Sequence, residues 1–146
     1  MFVRAARAAL AAVAILALAV PVTGAAQPSA VTITLDAPFG GGSESFTAAG
    51  AFCDAGTAET FDLRIVGRRS AASFHLNKTL TCTDGSGTLT ISVDAATRFG
   101  KPGDQGGWAV ISGTGDWAGA SGGGVLVGTY YDGGVIDVYA GSIKLP

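Results

Sequence analysis

Apolar and polar residues alternate with a period of two through most of this chain, and no helical periodicity replaces that alternation after the first 26 residues. In VTITLD, Val31, Ile33 and Leu35 share one face, with Thr32, Thr34 and Asp36 on the other. GTLTISVDA repeats the pattern, setting Leu89, Ile91 and Val93 against Thr88, Thr90, Ser92 and Asp94. ETFDLRIVGR sets Phe61, Leu63 and Ile65 against Asp62 and Arg64, and ASFHLNKTLTC sets Phe74, Leu76 and Leu80 against His75, Asn77, Thr79 and Thr81. Successive side chains of a strand point to opposite faces, so each segment predicts a strand with one buried and one wetted face, as in antiparallel sheets.

SESFTAAGAF, GGWAVIS, GGVLVGTYY and GVIDVYAGSI extend the set to about eight strands. Between the strands lie PFGGGS, CDAGTA, TDGSG, FGKPGDQGG and YDGG, in which Gly, Asp and Pro supply the backbone angles of turns. A meander of short strands leaves two open edges unless it closes on itself, so the expected fold is an all-β, antiparallel, roughly eight-stranded barrel. A β-sandwich is the alternative, but the tryptophan that an immunoglobulin-like sandwich carries between its two cysteines is missing.

The first 26 residues differ from the rest. Arg4 and Arg7 precede an unbroken apolar run from Ala8 to Val20, and small residues from Thr23 to Ala26 follow, which is the order of a secretory signal peptide. The run is shorter than the roughly 20 residues that span a bilayer, so no stable membrane span is expected once the leader is removed. Residues 27–146 then form a single secreted domain, long enough for one core and too short for two. Without the two leader arginines, 7 of the 9 Lys and Arg face 11 Asp and Glu, a net charge of −4 that disfavours nucleic acid as a partner.

Cys53 and Cys82 are expected to pair in an exported chain, for about 3 to 4 kcal/mol of stability in the chain-entropy model. Strands ending near Phe52 and Cys82 would finish on one rim with a third strand between them. Two strand spacings, about 9.6 Å, are too far for a direct bridge. The CDAGTA loop must therefore fold over that rim. Two cysteines and the single His75 cannot supply four protein ligands to zinc without carboxylates, so no metal site is expected.

The glycine-rich stretch ISGTGDWAGASGGGVLVG, residues 111–128, invites a nucleotide-binding reading that its spacing does not support. Gly113 and Gly115 are followed by Gly119, one residue too late for a dinucleotide fingerprint, and the Lys followed by Ser or Thr of a P-loop is absent. No cofactor is expected. The stretch reads instead as a strand entering a tight corner, with Trp117 folding back to cap the barrel end. Gly113, Thr114, Gly115, Trp117, Ala120 and Gly122 resemble the G-T-G-x-aromatic-x-x-A-x-G corner of the dirigent and allene oxide cyclase barrels. They are also similar to small secreted actinobacterial proteins that share the GSGTLT and W-x-V-x-x-GTG segments. The resemblance implies an eight-stranded barrel with a ligand cavity and makes the corner architectural. It transfers no catalytic set, because family activity depends on cavity side chains outside the corner.

Few side chains stand out for chemistry. His75 lies on the polar face of its strand with no motif beside it, and is expected to face solvent. Asp132 precedes the Gly133-Gly134 turn, and Asp116 follows Gly115; both read as turn residues. Asp137 shares a face with Val135 and Tyr139. If that face is inward, Asp137 is a buried carboxylate with a raised pKa; burial of Ile136 and Val138 instead is the simpler expectation. Trp108, Tyr130, Tyr131 and Tyr139, with Asp137, are candidates to line a cavity for an apolar or ring-bearing molecule, and packing in core and rim is the competing role. Three functions are compatible with this sequence: non-catalytic binding of a small apolar molecule or a cell-envelope role, a cyclase or isomerase of the kind the resemblance implies, and a structural or protein-interaction module.

Overall fold

The computed structural model describes residues 26–146, so the expected leader lies outside the described residues except for Ala26. The strands are β1 (Ser29–Pro38), β2 (Glu44–Gly50), β3 (Ala55–Gly67), β4 (Ala71–Cys82), β5 (Gly87–Arg98), β6 (Gly103–Gly115), β7 (Ser121–Tyr131) and β8 (Gly134–Lys144). Each pairs antiparallel with the next, and β8 returns to β1, so the meander is a closed barrel. The closing ladder is long, running from Ser29 opposite Ile143 to Pro38 opposite Gly134.

The alternation picks the inner face. Val31, Ile33 and Leu35 of β1, Leu80 of β4, and Leu89, Ile91 and Val93 of β5 are buried inside, joined by Leu126, Tyr139 and Ile143 from the later strands. Burying a large aliphatic side chain is worth about 1.5 to 3 kcal/mol, so these positions fix the register of their strands.

The two ends of the barrel differ. At one end Phe46 stacks on Phe52 with centroids 5.6 Å apart, and Phe52 meets the edge of Trp117 at 4.8 Å, so three aromatic rings plug the opening. Trp117 sits in the corner between β6 and β7, where Trp117 N–H bonds Thr114 O at 3.1 Å and Ala120 N–H bonds Trp117 O at 3.1 Å. A side chain at Gly113 would collide with the backbone of Trp117, and Gly115 has φ +61°. Thr114 Oγ1 reaches Thr88 Oγ1 across the ladder at 2.8 Å. The corner is thus structural, with Trp117 capping the barrel.

The disulfide closes the same rim. Cys53 and Cys82 are bonded, with Cα atoms 5.9 Å apart, where Ala48 N–H bonds Asp54 O at 2.7 Å and Thr83 N–H bonds Ala55 O at 3.0 Å. The link between β2 and β3 therefore folds over the rim, as the strand spacing required.

One strand departs from its alternation. Phe61, Leu63 and Ile65 were expected on a common buried face, yet all three are exposed, Leu63 at 53% and Ile65 at 57%. The ladder between β3 and β4 shifts register between Phe61 and Arg64, where Asp62 has φ +54°. The extra residue turns Phe61 outward and puts Leu63 and Ile65 on the inner side. They stay exposed because β2 pairs with β3 only from Ala55 to Ala58 and leaves the rest of β3 without a neighbour on that side. The wall is open there. Replacing both cysteines, Cys53→Ser with Cys82→Ser, is expected to cost about 3 to 4 kcal/mol, read as a lower urea midpoint with the strand circular dichroism retained. An unchanged midpoint would mean that the rim is held by its aromatic plug alone.

Candidate functional site

The open half of the barrel encloses a cavity of about 600 Å³, entered between the β1–β2 turn and the unpaired half of β3. Its walls are mostly apolar, built from Ala37, Leu63, Ile65, Phe74, Leu76, Val93, Ala95 and Leu126. Polar groups stand in two clusters among them.

The first cluster is an ion pair. Lys78 lies between Leu76 and Leu80 on the inner face of β4 and is only 3% exposed. Its Nζ donates to Glu44 Oε2 at 2.6 Å and to Thr60 Oγ1 at 2.6 Å, while Thr60 Oγ1 donates to Glu44 Oε1 at 2.6 Å. The ladder places Thr60 directly opposite Lys78, and β2 brings in Glu44. A buried ammonium is tolerated only with a close counter-charge, which this arrangement supplies.

The second cluster is acidic. Asp104 pairs with Gly128 across the β6–β7 ladder, and Gly128 pairs with Asp137 across the β7–β8 ladder, so three adjacent strands bring two carboxylates to either side of one glycine. A methyl group at Gly128 would overlap Asp104 Oδ1 and lie 2.8 Å from Asp137 Oδ1, so both oxygens lean over the same Cα. The other oxygens are held by tyrosines: Tyr130 donates to Asp104 Oδ2 at 3.2 Å and Tyr139 donates to Asp137 Oδ2 at 3.1 Å. Asp104 Oδ1 is closed to solvent and has no hydrogen-bond partner.

Two carboxylates in one apolar site cannot both ionise cheaply. Burial, and then the charge of Asp104, push the Asp137 carboxyl up to about 6, against the opposing pull of Lys78 and of the Tyr139 hydroxyl. Burial also raises Asp104, although the Tyr130 bond draws it back. Tyr139 is held well above its ordinary value by burial and by the neighbouring Asp137 charge.

Of the aromatic and acidic residues expected at a cavity, Tyr130, Asp137 and Tyr139 line it. The simpler expectation for β8 is overturned: Asp137 is 7% exposed and points inward, while Ile136 and Val138 lie on the other face. Both faces of β8 are apolar, so alternation could not choose between them. The ladder chooses, because Asp137 lies opposite Leu35 and Tyr139 opposite Ile33, and paired residues share a face. Tyr131 is corrected the other way. It follows Tyr130 directly and so points outward, 42% exposed, its hydroxyl donating to Asp36 at 2.6 Å. Trp108 is buried below the cavity, edge-on to Tyr139 with centroids 6.4 Å apart, and does not line it.

Glu44, Thr60, Lys78 and Asp104 escaped the reading of the sequence. Lys78 had a visible signal, since it falls in phase with Leu76 and Leu80, whereas Asp104 lay in a segment read as a turn although β6 begins at Gly103. His75 faces solvent as expected, but pairs with Asp94, which the β4–β5 ladder sets directly opposite. Asp132 and Asp116 both lie in turns, Asp132 in the β7–β8 hairpin and Asp116 in the corner. Among the described residues no three His, Cys, Asp or Glu side chains group so as to hold a metal ion, and no helix is long and apolar enough to cross a membrane. No family model, curated protein or solved structure matches the chain.

The two clusters yield separate stability tests. The native protein keeps a proton on Asp137 that the unfolded chain gives up from its ordinary value of 3.8 upward, so this group's contribution is fully present below about pH 4 and is lost as pH rises through about 6. Asp137→Asn should therefore stabilise the barrel at about pH 8 by up to about 3 kcal/mol, with the gain vanishing below about pH 4 in urea titrations. A gain independent of pH would exclude the raised carboxyl as its cause. Lys78→Met strands the Glu44 charge and should cost about 3 to 5 kcal/mol, most of it recovered by adding Glu44→Leu. Failure of the double variant to recover would show that Lys78 acts through packing alone.

Proposed function

We propose that this chain is an exported, disulfide-stapled barrel that binds a small, largely apolar molecule in its cavity. The carrying observation is the contrast between ends: one is plugged by Phe46, Phe52 and Trp117, while the other leads to about 600 Å³ lined mainly by aliphatic side chains. That volume falls in the range of small-molecule sites, which combine apolar walls with a few convergent polar groups. Export is supported by the three-part leader in the sequence and by the Cys53–Cys82 bond, since disulfides persist in oxidising compartments.

A second reading, an enzyme of the cyclase or isomerase kind, is favoured by one specific observation. Asp104 and Asp137 form an acid pair inside the cavity, with the Asp137 carboxyl near 6. A carboxyl near 6 beside a second carboxylate can protonate an oxygen of a reactive intermediate while its neighbour accepts a proton. The likeness of the Gly113–Gly122 corner to the dirigent and allene oxide cyclase barrels supports the same reading.

The binding reading is tested with diphenylhexatriene, a neutral apolar dye that fluoresces on leaving water. The protein is expected to bind it, and Leu76→Trp, which fills the cavity, to abolish the signal. A signal that survives Leu76→Trp would mean that the dye sits elsewhere and would remove the support. The enzymatic reading is tested on an allene oxide: a product enriched in one enantiomer, turning racemic with Asp137→Asn, is expected, and a racemic product from the unaltered protein rejects it.

A further inference from the structure

We propose that the molecule for which this cavity is built is an organic cation: a small amphiphile whose single ammonium group sits at Asp104 and Asp137 and whose apolar part lies along Leu76, Val93 and Leu126. The inference rests on the binding reading above and adds the charge of the ligand.

Charge balance inside the barrel is the first ground. Lys78 is neutralised locally, because Glu44 and Thr60 hold its ammonium at 2.6 Å each. Asp104 and Asp137 have no such partner, and the groups that hold their outer oxygens are neutral phenols. The ionisable groups around Asp137 are Tyr139 on its own strand, Tyr130 on β7, Asp104 on β6, Lys78 on β4 and Glu44 on β2; β1 presents Leu35 and Ala37. With the ion pair cancelled, the site keeps an excess of negative charge.

Geometry is the second ground. The tyrosines occupy both Oδ2 atoms, while both Oδ1 atoms lean over Gly128, where no side chain separates them. Asp104 Oδ1 is buried with no hydrogen-bond partner, a costly state for a charged group. A proton on one carboxyl supplies one donor at most. An ammonium brings several N–H donors and a full positive charge, so it can serve both oxygens together. Binding then proceeds as an exchange: the cation enters, both carboxylates are held ionised, and any proton held on Asp137 leaves to solvent.

An alcohol lacks the charge and a carboxylate carries the wrong one, so a matched series separates the possibilities. The disulfide-bonded protein, residues 27–146, is titrated calorimetrically with octylammonium, octanol and octanoate near pH 7. Octylammonium should bind at least about tenfold more tightly than octanol, equivalent to about 1.4 kcal/mol, and octanoate should be the weakest. Repeated at about pH 6 in buffers of different ionisation enthalpy, the heats should report about half a proton released per octylammonium, and none for octanol. Asp137→Asn and Asp104→Asn should each erase the preference for octylammonium over octanol, whereas His75→Ala, on the outer face, should keep it.

Octanol or octanoate binding as tightly as octylammonium, or a preference that survives both Asp variants, overturns the cationic ligand while leaving a binding cavity in place. If none of the three binds, the cavity reading falls and this inference falls with it.

Discussion

Everything in this molecule depends on the ladder between β1 and β8. Pairing Ser29–Pro38 with the last strand joins the two edges of the meander, so backbone N–H and C=O groups that would otherwise line open edges are bonded. Closure also divides the side chains into inside and outside. A flat sheet with the same alternation would leave Asp137 and Tyr139 on a half-wetted surface; the closed one encloses them.

The unequal ends follow from where the loops carry bulk. The link between β2 and β3 delivers Phe52 and Cys53 to the rim at which β4 ends, and the corner between β6 and β7 delivers Trp117 to the same place. The opposite rim carries the glycines Gly40, Gly41 and Gly42, the pair Arg68 and Arg69, and the rings of Phe39 and Phe99, which stay exposed, 59% and 60%, and do not plug it. With β2 too short to flank the second half of β3, the wall and that rim are open together. A barrel of eight strands is just wide enough to be filled by side chains, so a cavity exists only where small residues replace large ones. Ala37, Ala58 and Ala95 do so here, at inner positions of three different strands.

Polar groups inside such a cavity are costly, and the protein handles its two clusters differently. Lys78, Glu44 and Thr60 satisfy one another, which makes them a fixed part of the wall. Asp104 and Asp137 are only half satisfied, each through its tyrosine, and their remaining oxygens crowd over Gly128 without a partner side chain. Electrostatic cost stored in the wall of a cavity is where binding or proton transfer gains the most.

Much of this architecture is legible in the residues alone. Period-two alternation specifies strands because a strand must bury one face, and glycine-rich breaks at regular intervals specify the meander; Leu89, Ile91 and Val93 are inside for the reason their spacing states. The paired cysteines and the Trp117 corner are likewise local signals. Three features were decided only by tertiary structure. Asp137 faces inward because Leu35 lies opposite it, a fact absent from a strand that is apolar on both faces. Leu63 and Ile65 are exposed because a bulge at Asp62 and the short β2 act together. The acid pair exists because Gly128 stands between Asp104 and Asp137 on three successive strands, 33 residues apart in the chain at its ends. Alternation reports which residues share a face of one strand, while the partner across each ladder decides which face is inside and which side chains meet.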